Sequence, residues 1–368
     1  MKYAVLGATG LLGHHAARAI RAAGHDLVLI HRPSSQIQRL AYLEPECRVA
    51  EMLDHAGLER ALRGLDGVIF SAGYYPSRPR RWQEEVASAL GQTNPFYAAC
   101  LQARVPRILY VGSAYAMPRH PQGLPGHEGL FYDSLPSGKS SYVLCKWALD
   151  EQAREQARNG LPVVIGIPGM VLGELDIGPT TGRVITAIGN GEMTHYVAGQ
   201  RNVIDAAEAG RGLLMALERG RIGERYLLTG HNLEMADLTR RIAELLGQPA
   251  PQPMSMAMAR AGHPGPLALP GQRPVAAARR NRHRGDGWRA VPRWTQGPRG
   301  TRLLLHRRPR RHPAARHRLV PRQRLFQCLG QLARAALFPR RVGSAVPAGR
   351  ESSPCRTWCT APATDPAG

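Results

Sequence analysis

Residues 2–13, KYAVLGATGLLG, place a short apolar run directly before three glycines spaced three residues apart: Gly7, Gly10 and Gly13. The apolar run predicts a strand, and residues 11–23 have the spacing of an amphipathic helix. The glycines therefore lie at a turn from strand to helix. There the free N–H groups and the dipole of the helix N-terminus attract an anion, and glycine lets it approach the backbone. The stretch predicts a phosphate-binding turn; the alternative is a turn that needs glycine for its geometry alone.

Strand and helix patterns alternate through the first 250 residues. Apolar runs at 26–30, 67–71, 107–112 and 162–167 alternate with helical patterns at 58–63, 81–103 and 141–159, with Pro95 as a candidate break in the second helix. The strands are apolar on both faces, which is typical of parallel strands covered by helices on both sides. The sequence therefore predicts an α/β fold with a doubly wound parallel sheet of the Rossmann type.

A glycine triplet within a strand–helix–strand unit is typical of dinucleotide binding. The candidate cofactor residues of this loop are Gly7, Thr9, Gly10, Leu11, Leu12 and Gly13. The second strand ends in HRPSS, residues 31–35, where an acidic residue would bind the ribose 2′-hydroxyl of NAD. Arg32 stands there instead, and its guanidinium can bind a 2′-phosphate. We therefore expect NADP(H) to be favoured over NAD(H).

Tyr142 and Lys146 lie four residues apart in the predicted helix 141–159, and so on one face of it. An ammonium near a phenol favours the phenolate and lowers the tyrosine pKa. Tyr142 can then exchange a proton with a substrate oxygen while hydride moves to or from a nicotinamide. Ser113 follows the preceding strand, at the sheet edge where the cofactor crevice of a doubly wound fold lies. We predict these three as the catalytic residues, with Lys146 also binding the nicotinamide ribose.

With these motifs, residues 1 to about 250 resemble the extended short-chain dehydrogenases/reductases of the NAD-dependent epimerase/dehydratase superfamily. Within it they are most similar to dihydroflavonol-4-reductase-like proteins and hopanoid-associated sugar epimerases. The resemblance implies a nicotinamide-binding Rossmann domain followed by a small substrate lobe. It also implies four further cofactor contacts, at Ala72, Gly73, Asn94 and Pro168.

The resemblance leaves the activity open between two reactions. One is a ketone reductase resembling dihydroflavonol reductase, and the other is a nucleotide-sugar epimerase or dehydratase. An alternative of another class is a non-catalytic NADP(H)-binding redox sensor. The Ser–Tyr–Lys set disfavours the sensor, because a sensor has no use for an acid/base group.

We divide the chain into three parts. Residues 1–168 are expected to form the NAD(P)-binding domain, and residues 169–260 a substrate lobe that returns a strand and helices to it. Residues 261–368 are rich in Arg and Pro and show no periodicity. Read one base out of frame, the codons for residues 296–326 permit a string with helical periodicity and mixed charge. We interpret this part as the product of a frameshift; the alternative is a disordered basic tail.

The net charge of +22 is concentrated at one end of the chain. Residues 251–368 carry 23 Arg and three acidic residues, whereas residues 1–250 carry 26 basic and 24 acidic residues. A nucleic-acid partner would depend wholly on the basic tail, so we expect none. The six cysteines form no CxxC pair, and we expect no metal site.

The remaining expectations concern location and assembly. The N-terminus lacks the pattern of a signal peptide, and no apolar run reaches the ~18 residues of a membrane span. We therefore expect a cytoplasmic protein that binds a small-molecule substrate. The helices at 81–103 and 141–159 are where family members often pair, so a homodimer is the candidate assembly.

Overall fold

The computed structural model describes residues 1–76, 80–178 and 180–260, so the frameshift interpretation of residues 261–368 lies outside the described residues. The first half of the described chain alternates strands and helices. Its elements are β1 (Lys2–Leu6), α1 (Leu11–Ala22), β2 (Asp26–His31), β3 (Glu46–Val49), α2 (His55–Leu62), β4 (Gly67–Phe70), α3 (Trp82–Gln102), β5 (Ile108–Val111), α4 (Ser141–Arg158) and β6 (Val163–Pro168).

The second half contains shorter elements. They are β7 (Met170–Leu172), α5 (Arg183–Gly189), β8 (His195–Val197), β9 (Gln200–Asp205), α6 (Ala206–Arg219), β10 (Arg225–Leu228), β11 (His231–Glu234), α7 (Met235–Leu246), β12 (Gln252–Met254) and α8 (Met256–Arg260). Short 3₁₀ turns lie at Ile37–Leu43 and Ala114–Ala116.

Seven strands form one parallel sheet in the order β10-β6-β5-β4-β1-β2-β3. Alternate residues of β1 enter two different cores. Ala4 and Leu6 pack in the core beneath α2, α3 and α4, whereas Tyr3 and Val5 pack in the core beneath α1 and α6. The predicted α/β fold with a doubly wound Rossmann sheet is confirmed. The strand order reverses at β1, so the crevice for a ligand opens at the carboxyl ends of β1 and β4.

Residues 169–260 are shared between the large sheet and two small ones. Strand β10 pairs with β6, and α6 packs against α1 on one face of the large sheet. Strands β11, β9 and β7 form a three-stranded sheet, and β12 pairs with β8. Beneath α5 and α7 lies a third core that includes Leu172, Ile188 and Leu238.

Helix α3 runs unbroken through Pro95, although that proline was a candidate break. A proline inside a helix removes the hydrogen bond to the carbonyl one turn earlier, here that of Gly91. Gly91 is exposed, so water can bind the carbonyl that Pro95 leaves without a partner. Packing of α3 against α2 and α4 then holds the helix together.

Candidate active site

The three glycines of the first turn have different surroundings. Gly7 has φ +93°, and a Cβ there would lie 2.7 Å from the backbone nitrogen of Ala72. A Cβ on Gly13 would lie 2.3 Å from the carbonyl oxygen of Gly7. A Cβ on Gly10 would meet only that same oxygen, at 3.6 Å. Gly7 and Gly13 are therefore required by backbone packing, whereas Gly10 leaves space in front of the N-terminus of α1.

This N-terminus suits an anion. Thr9 and Gly10 are exposed, and Gly10 is the N-cap of α1 without a side-chain hydrogen bond at the cap. Leu11 and Leu12 begin the helix, and its first turn contains no acidic residue. The first N–H groups of a helix have no partner within the helix, so they are available to phosphate oxygens.

The segment after β4 leads from the glycine turn to the predicted catalytic lysine. Ala72 lies against Gly7, and a Cβ on Gly73 would lie 3.0 Å from Nζ of Lys146. A side chain at position 73 would therefore push the ammonium aside. Along the carboxyl edge of the sheet, the glycine turn is followed by Ala72–Gly73 and then by Lys146.

The structure brings Ser113, Tyr142 and Lys146 together. Ser113 lies two residues beyond the end of β5, and its Oγ accepts a hydrogen bond from the N–H of Tyr115 at 3.3 Å. Tyr142 lies in the first turn of α4, where the Ser140 side chain caps the helix, and its hydroxyl is hydrogen-bonded to Ser113. Nζ of Lys146 lies 5.4 Å from the centroid of the Tyr142 ring.

The protonation states of this trio differ in one respect from the sequence-based expectation. Burial raises the pKa of Tyr142 well above its usual value, and the hydrogen bond to Ser113 only partly opposes this. Burial also lowers the pKa of Lys146 to about 8. The expected lowering of the Tyr142 pKa by Lys146 is wrong for this site, because burial sets the direction of the shift. Nζ of Lys146 lies over the rings of Tyr75 and Tyr142, 4.4 and 5.4 Å from their centroids. Tyr142 is consequently a neutral phenol that can donate a proton.

Two further tyrosines contact Tyr142. The Tyr75 ring stacks on it with a centroid distance of 5.7 Å and an interplanar angle of 28°, and the Tyr115 ring meets it edge-on at 5.8 Å. The sequence analysis assigned neither residue to the site. The position of Tyr115, two residues after Ser113, is the signal that could have indicated it. Tyr75 follows β4 by five residues, and no local pattern marks it.

Asn94 is not placed with the trio. It is exposed, and its Oδ1 accepts a hydrogen bond of 2.7 Å from Nε2 of Gln152. Gln152 lies ten residues beyond Tyr142 in α4, about 15 Å along the helix. The resemblance implied a cofactor contact for Asn94, but its side chain is engaged far from the sheet edge where a nicotinamide would lie.

Pro168 and Arg32 do lie at that edge. Pro168 ends β6, and the pairing of Val111 with Gly166 puts it level with Ser113 on the neighbouring strand. Arg32 directly follows β2 and is exposed, in a turn where the N–H of Ser35 donates to its carbonyl oxygen at 3.0 Å. Its guanidinium forms no ion pair with the described residues.

The model of the NAD dependent epimerase/dehydratase family matches residues 3–228. The chain belongs to this family. Its members are enzymes that use a nicotinamide cofactor, NAD(H) or NADP(H). The cleft described above fits such a cofactor, because open space lies before the N-terminus of α1 and Gly73 leaves room beside Lys146.

Several known proteins are similar to the chain. A nucleoside-diphosphate-sugar epimerase from Pseudomonas aeruginosa, known from a crystal structure, is 95% identical to this chain in sequence. The two structures align with a TM-score of 0.67 over 71% of this chain and 82% of that one. Sterol demethylase protein B from Methylococcus capsulatus is 27% identical over 67% of this chain and 75% of its own length. A Synechocystis sp. protein assigned as a dihydroflavonol 4-reductase is 27% identical over 67% of this chain and 73% of its own length.

No helix among the described residues of this epimerase/dehydratase family member is both long and apolar enough to cross a bilayer. No group of three or more His, Cys, Asp or Glu side chains in the same residues could hold a metal ion.

Proposed function

We propose that the protein is an NADP(H)-dependent reductase that acts on the carbonyl group of a small molecule. The observation that carries the proposal is the convergence of Ser113, Tyr142 and Lys146, with Nζ of Lys146 5.4 Å from the centroid of the Tyr142 ring. A neutral phenol can give a proton to an oxygen that gains negative charge as a carbonyl is reduced.

Each residue of the trio has one role in this reaction. When bound, the nicotinamide supplies the hydride. Ser113 donates a hydrogen bond to the substrate oxygen, Tyr142 gives that oxygen its proton, and Lys146 holds the nicotinamide ribose. The glycine turn, Ala72–Gly73 and Pro168 shape the cofactor cleft, and Arg32 binds the 2′-phosphate that distinguishes NADP(H).

The rings beside Tyr142 support a flat, apolar substrate. Tyr75 and Tyr115 contact the catalytic phenol from two sides, and aromatic faces favour stacking with planar rings. The similarity to a relative assigned as a dihydroflavonol 4-reductase points the same way. Residues 169–260 would complete the substrate pocket.

Nucleotide-sugar epimerisation is the second candidate, favoured by the name of the 95% identical protein from Pseudomonas aeruginosa. That reaction begins with removal of a proton and a hydride from a sugar carbinol. Tyr142 would then first accept a proton and act as a phenolate, whereas in the reductase it acts as the phenol. The tyrosine rings beside Tyr142, which suit a planar substrate, favour the reductase.

The two reactions are separated by one set of assays. We would incubate the protein with NADPH and either dihydroquercetin or phenanthrenequinone, and separately with UDP-glucose or UDP-N-acetylglucosamine. A reductase consumes NADPH with the ketones, and Tyr142→Phe should lower turnover roughly 100-fold or more while cofactor binding is retained. Epimerised sugar without net NADPH consumption would establish the second candidate. NADPH binding without either turnover would favour a redox sensor.

A cytoplasmic location and a homodimer that pairs helices α3 and α4 are further parts of the proposal. Light scattering on the purified protein would test the dimer, because a monomer mass at micromolar concentration would reject it.

A further inference from the structure

We infer that Tyr75 is a positioning residue of the acid–base centre, its hydroxyl holding that of Tyr142 and its ring covering the Lys146 ammonium. The inference rests on the proposed role of Tyr142 as the proton donor. It adds a fourth side chain to the trio, from a different loop.

Two contacts connect Tyr75 to the centre. Its hydroxyl is hydrogen-bonded to that of Tyr142 while the two rings lie nearly parallel. Its ring centroid lies 4.4 Å from Nζ of Lys146, well within the ~6 Å over which an aromatic face attracts a cation. Because Gly73 has no side chain, the Lys146 ammonium has room beside this segment.

Packing into a core does not explain this placement. Tyr75 is 51% exposed, whereas Lys146 is 5% exposed. Its hydroxyl end is nevertheless turned inward, and burial there raises the pKa of Tyr75. A half-exposed tyrosine that makes two inward polar contacts at the acid–base pair points to a role in that pair.

The hydroxyls of Ser113, Tyr142 and Tyr75 form a short chain. Tyr142 lies between the other two and is hydrogen-bonded to both. Because a hydroxyl both donates and accepts, Tyr75 can accept from the Tyr142 phenol in the resting site and keep it oriented. A hydroxyl can rotate, so Tyr75 can in turn donate to the phenolate that forms after proton transfer.

The reaction balances with Tyr75 in this role. The carbonyl carbon gains the hydride, the carbonyl oxygen gains the Tyr142 proton, and the Tyr142 phenolate regains a proton from water. Tyr75 makes or breaks no covalent bond. It stabilises the phenolate through one hydrogen bond to a charged oxygen, and losing such a bond corresponds to roughly a 10-fold loss of rate.

Two substitutions separate the hydroxyl from the ring. Tyr75→Phe keeps the ring over Lys146 and removes the hydroxyl, and Tyr75→Leu removes both. With phenanthrenequinone and NADPH, we expect Tyr75→Phe to lower kcat roughly 10-fold and to raise the solvent deuterium isotope effect, because proton transfer becomes slower. KM and the Kd for NADPH should stay unchanged. Tyr75→Leu should in addition weaken NADPH binding, since the ammonium loses its aromatic contact.

The matched control is Tyr74→Phe. Tyr74 is the adjacent residue, and its hydroxyl donates to the carboxylate of Glu85 on α3 rather than to Tyr142. This variant should keep the isotope effect and kcat of the wild type.

The outcomes keep the two proposals apart. If Tyr142→Phe abolishes turnover while Tyr75→Phe retains wild-type kcat and isotope effect, the role of Tyr75 is overturned and the proposed function stands. A Tyr75→Phe variant that loses only thermal stability would also overturn it, since the role would then be structural. If Tyr142→Phe retains full turnover, the proposed function itself fails.

Discussion

Replacing Gly13 by alanine should destabilise the fold, whereas replacing Gly10 should spare the fold and weaken cofactor binding. At Gly13 the new Cβ would lie 2.3 Å from the oxygen and 2.8 Å from the carbon of the Gly7 carbonyl, and 2.9 Å from Cα of Ala8. All three atoms belong to the backbone, so α1 must move away from β1. Overpacking of this kind costs about 3 kcal/mol, which lowers Tm by roughly 10 °C in a domain of this size.

At Gly10 the Cβ meets one atom at 3.6 Å, an ordinary contact, and φ is −88°, which alanine adopts freely. Exchanging glycine for alanine at an N-cap costs about 1 kcal/mol, a Tm change of roughly 3 °C. The methyl group would, however, stand where phosphate oxygens reach the helix N–H groups. The loss of one such hydrogen bond should weaken NADPH binding roughly 10-fold.

The assays are thermal unfolding followed by circular dichroism and titration of NADPH fluorescence. The expected pattern is a large loss of Tm for Gly13→Ala and a large loss of affinity for Gly10→Ala. Equal falls in Tm for the two variants would refute the packing argument. Full NADPH affinity in Gly10→Ala would refute the position assigned to the phosphates.

Three other substitutions test separate parts of the molecule. Arg32→Ala should raise the Kd for NADPH roughly 10- to 100-fold with little change for NADH; equal weakening of both in fluorescence titrations would reject the 2′-phosphate contact. Arg225→Met should lower the free energy of unfolding in urea by about 3–5 kcal/mol, because it leaves the Asp150 carboxylate without its partner. The guanidinium lies 3.2 Å from that carboxylate, and both side chains are 2% exposed. Adding Asp150→Asn should recover part of the loss, and a mild effect of Arg225→Met alone would contradict the buried pair. Burial lowers the pKa of His14 to about 4. Between pH 6.5 and 4 this histidine is therefore protonated in the unfolded chain but not in the folded protein. The free energy of unfolding should therefore fall as pH falls through that window, by at most about 3 kcal/mol, and it should fall less in His14→Gln. Identical pH dependence of the wild type and the variant would disprove the contribution of a buried, neutral His14.

Much of the fold could be predicted because its signals are local. Strands β1, β2, β4, β5 and β6 are apolar on both faces, and the helices between them have clear periodicity. Strand β3, with the sequence ECRV, was missed because it is a mostly exposed edge strand without an apolar face. The short strands β8 and β12 were missed for another reason. They pair across more than fifty residues of chain, and no local pattern records such a pairing.

The same division holds for the candidate site. The spacing of Tyr142 and Lys146 follows from one helix, and the position of Ser113 follows from the end of one strand. The position of Asn94 could not be predicted in this way, because a helix pattern does not tell which turn of the helix lies at the sheet edge. The packing of α3 beside α4 places Asn94 against Gln152, well beyond the turn that carries Tyr142.

The sequence by itself determined the glycine turn after β1, the doubly wound sheet and the placement of Tyr142 and Lys146, the proposed acid–base pair, on one face of α4. Each depends on residues close together in the chain, where helix and strand periods set which side chains share a face. Only the tertiary structure decided that Tyr75 and Tyr115 converge on Tyr142 and that its phenol stays neutral. Those features depend on loops from different strands and on burial, and the energy of a buried charge is set by everything packed around it.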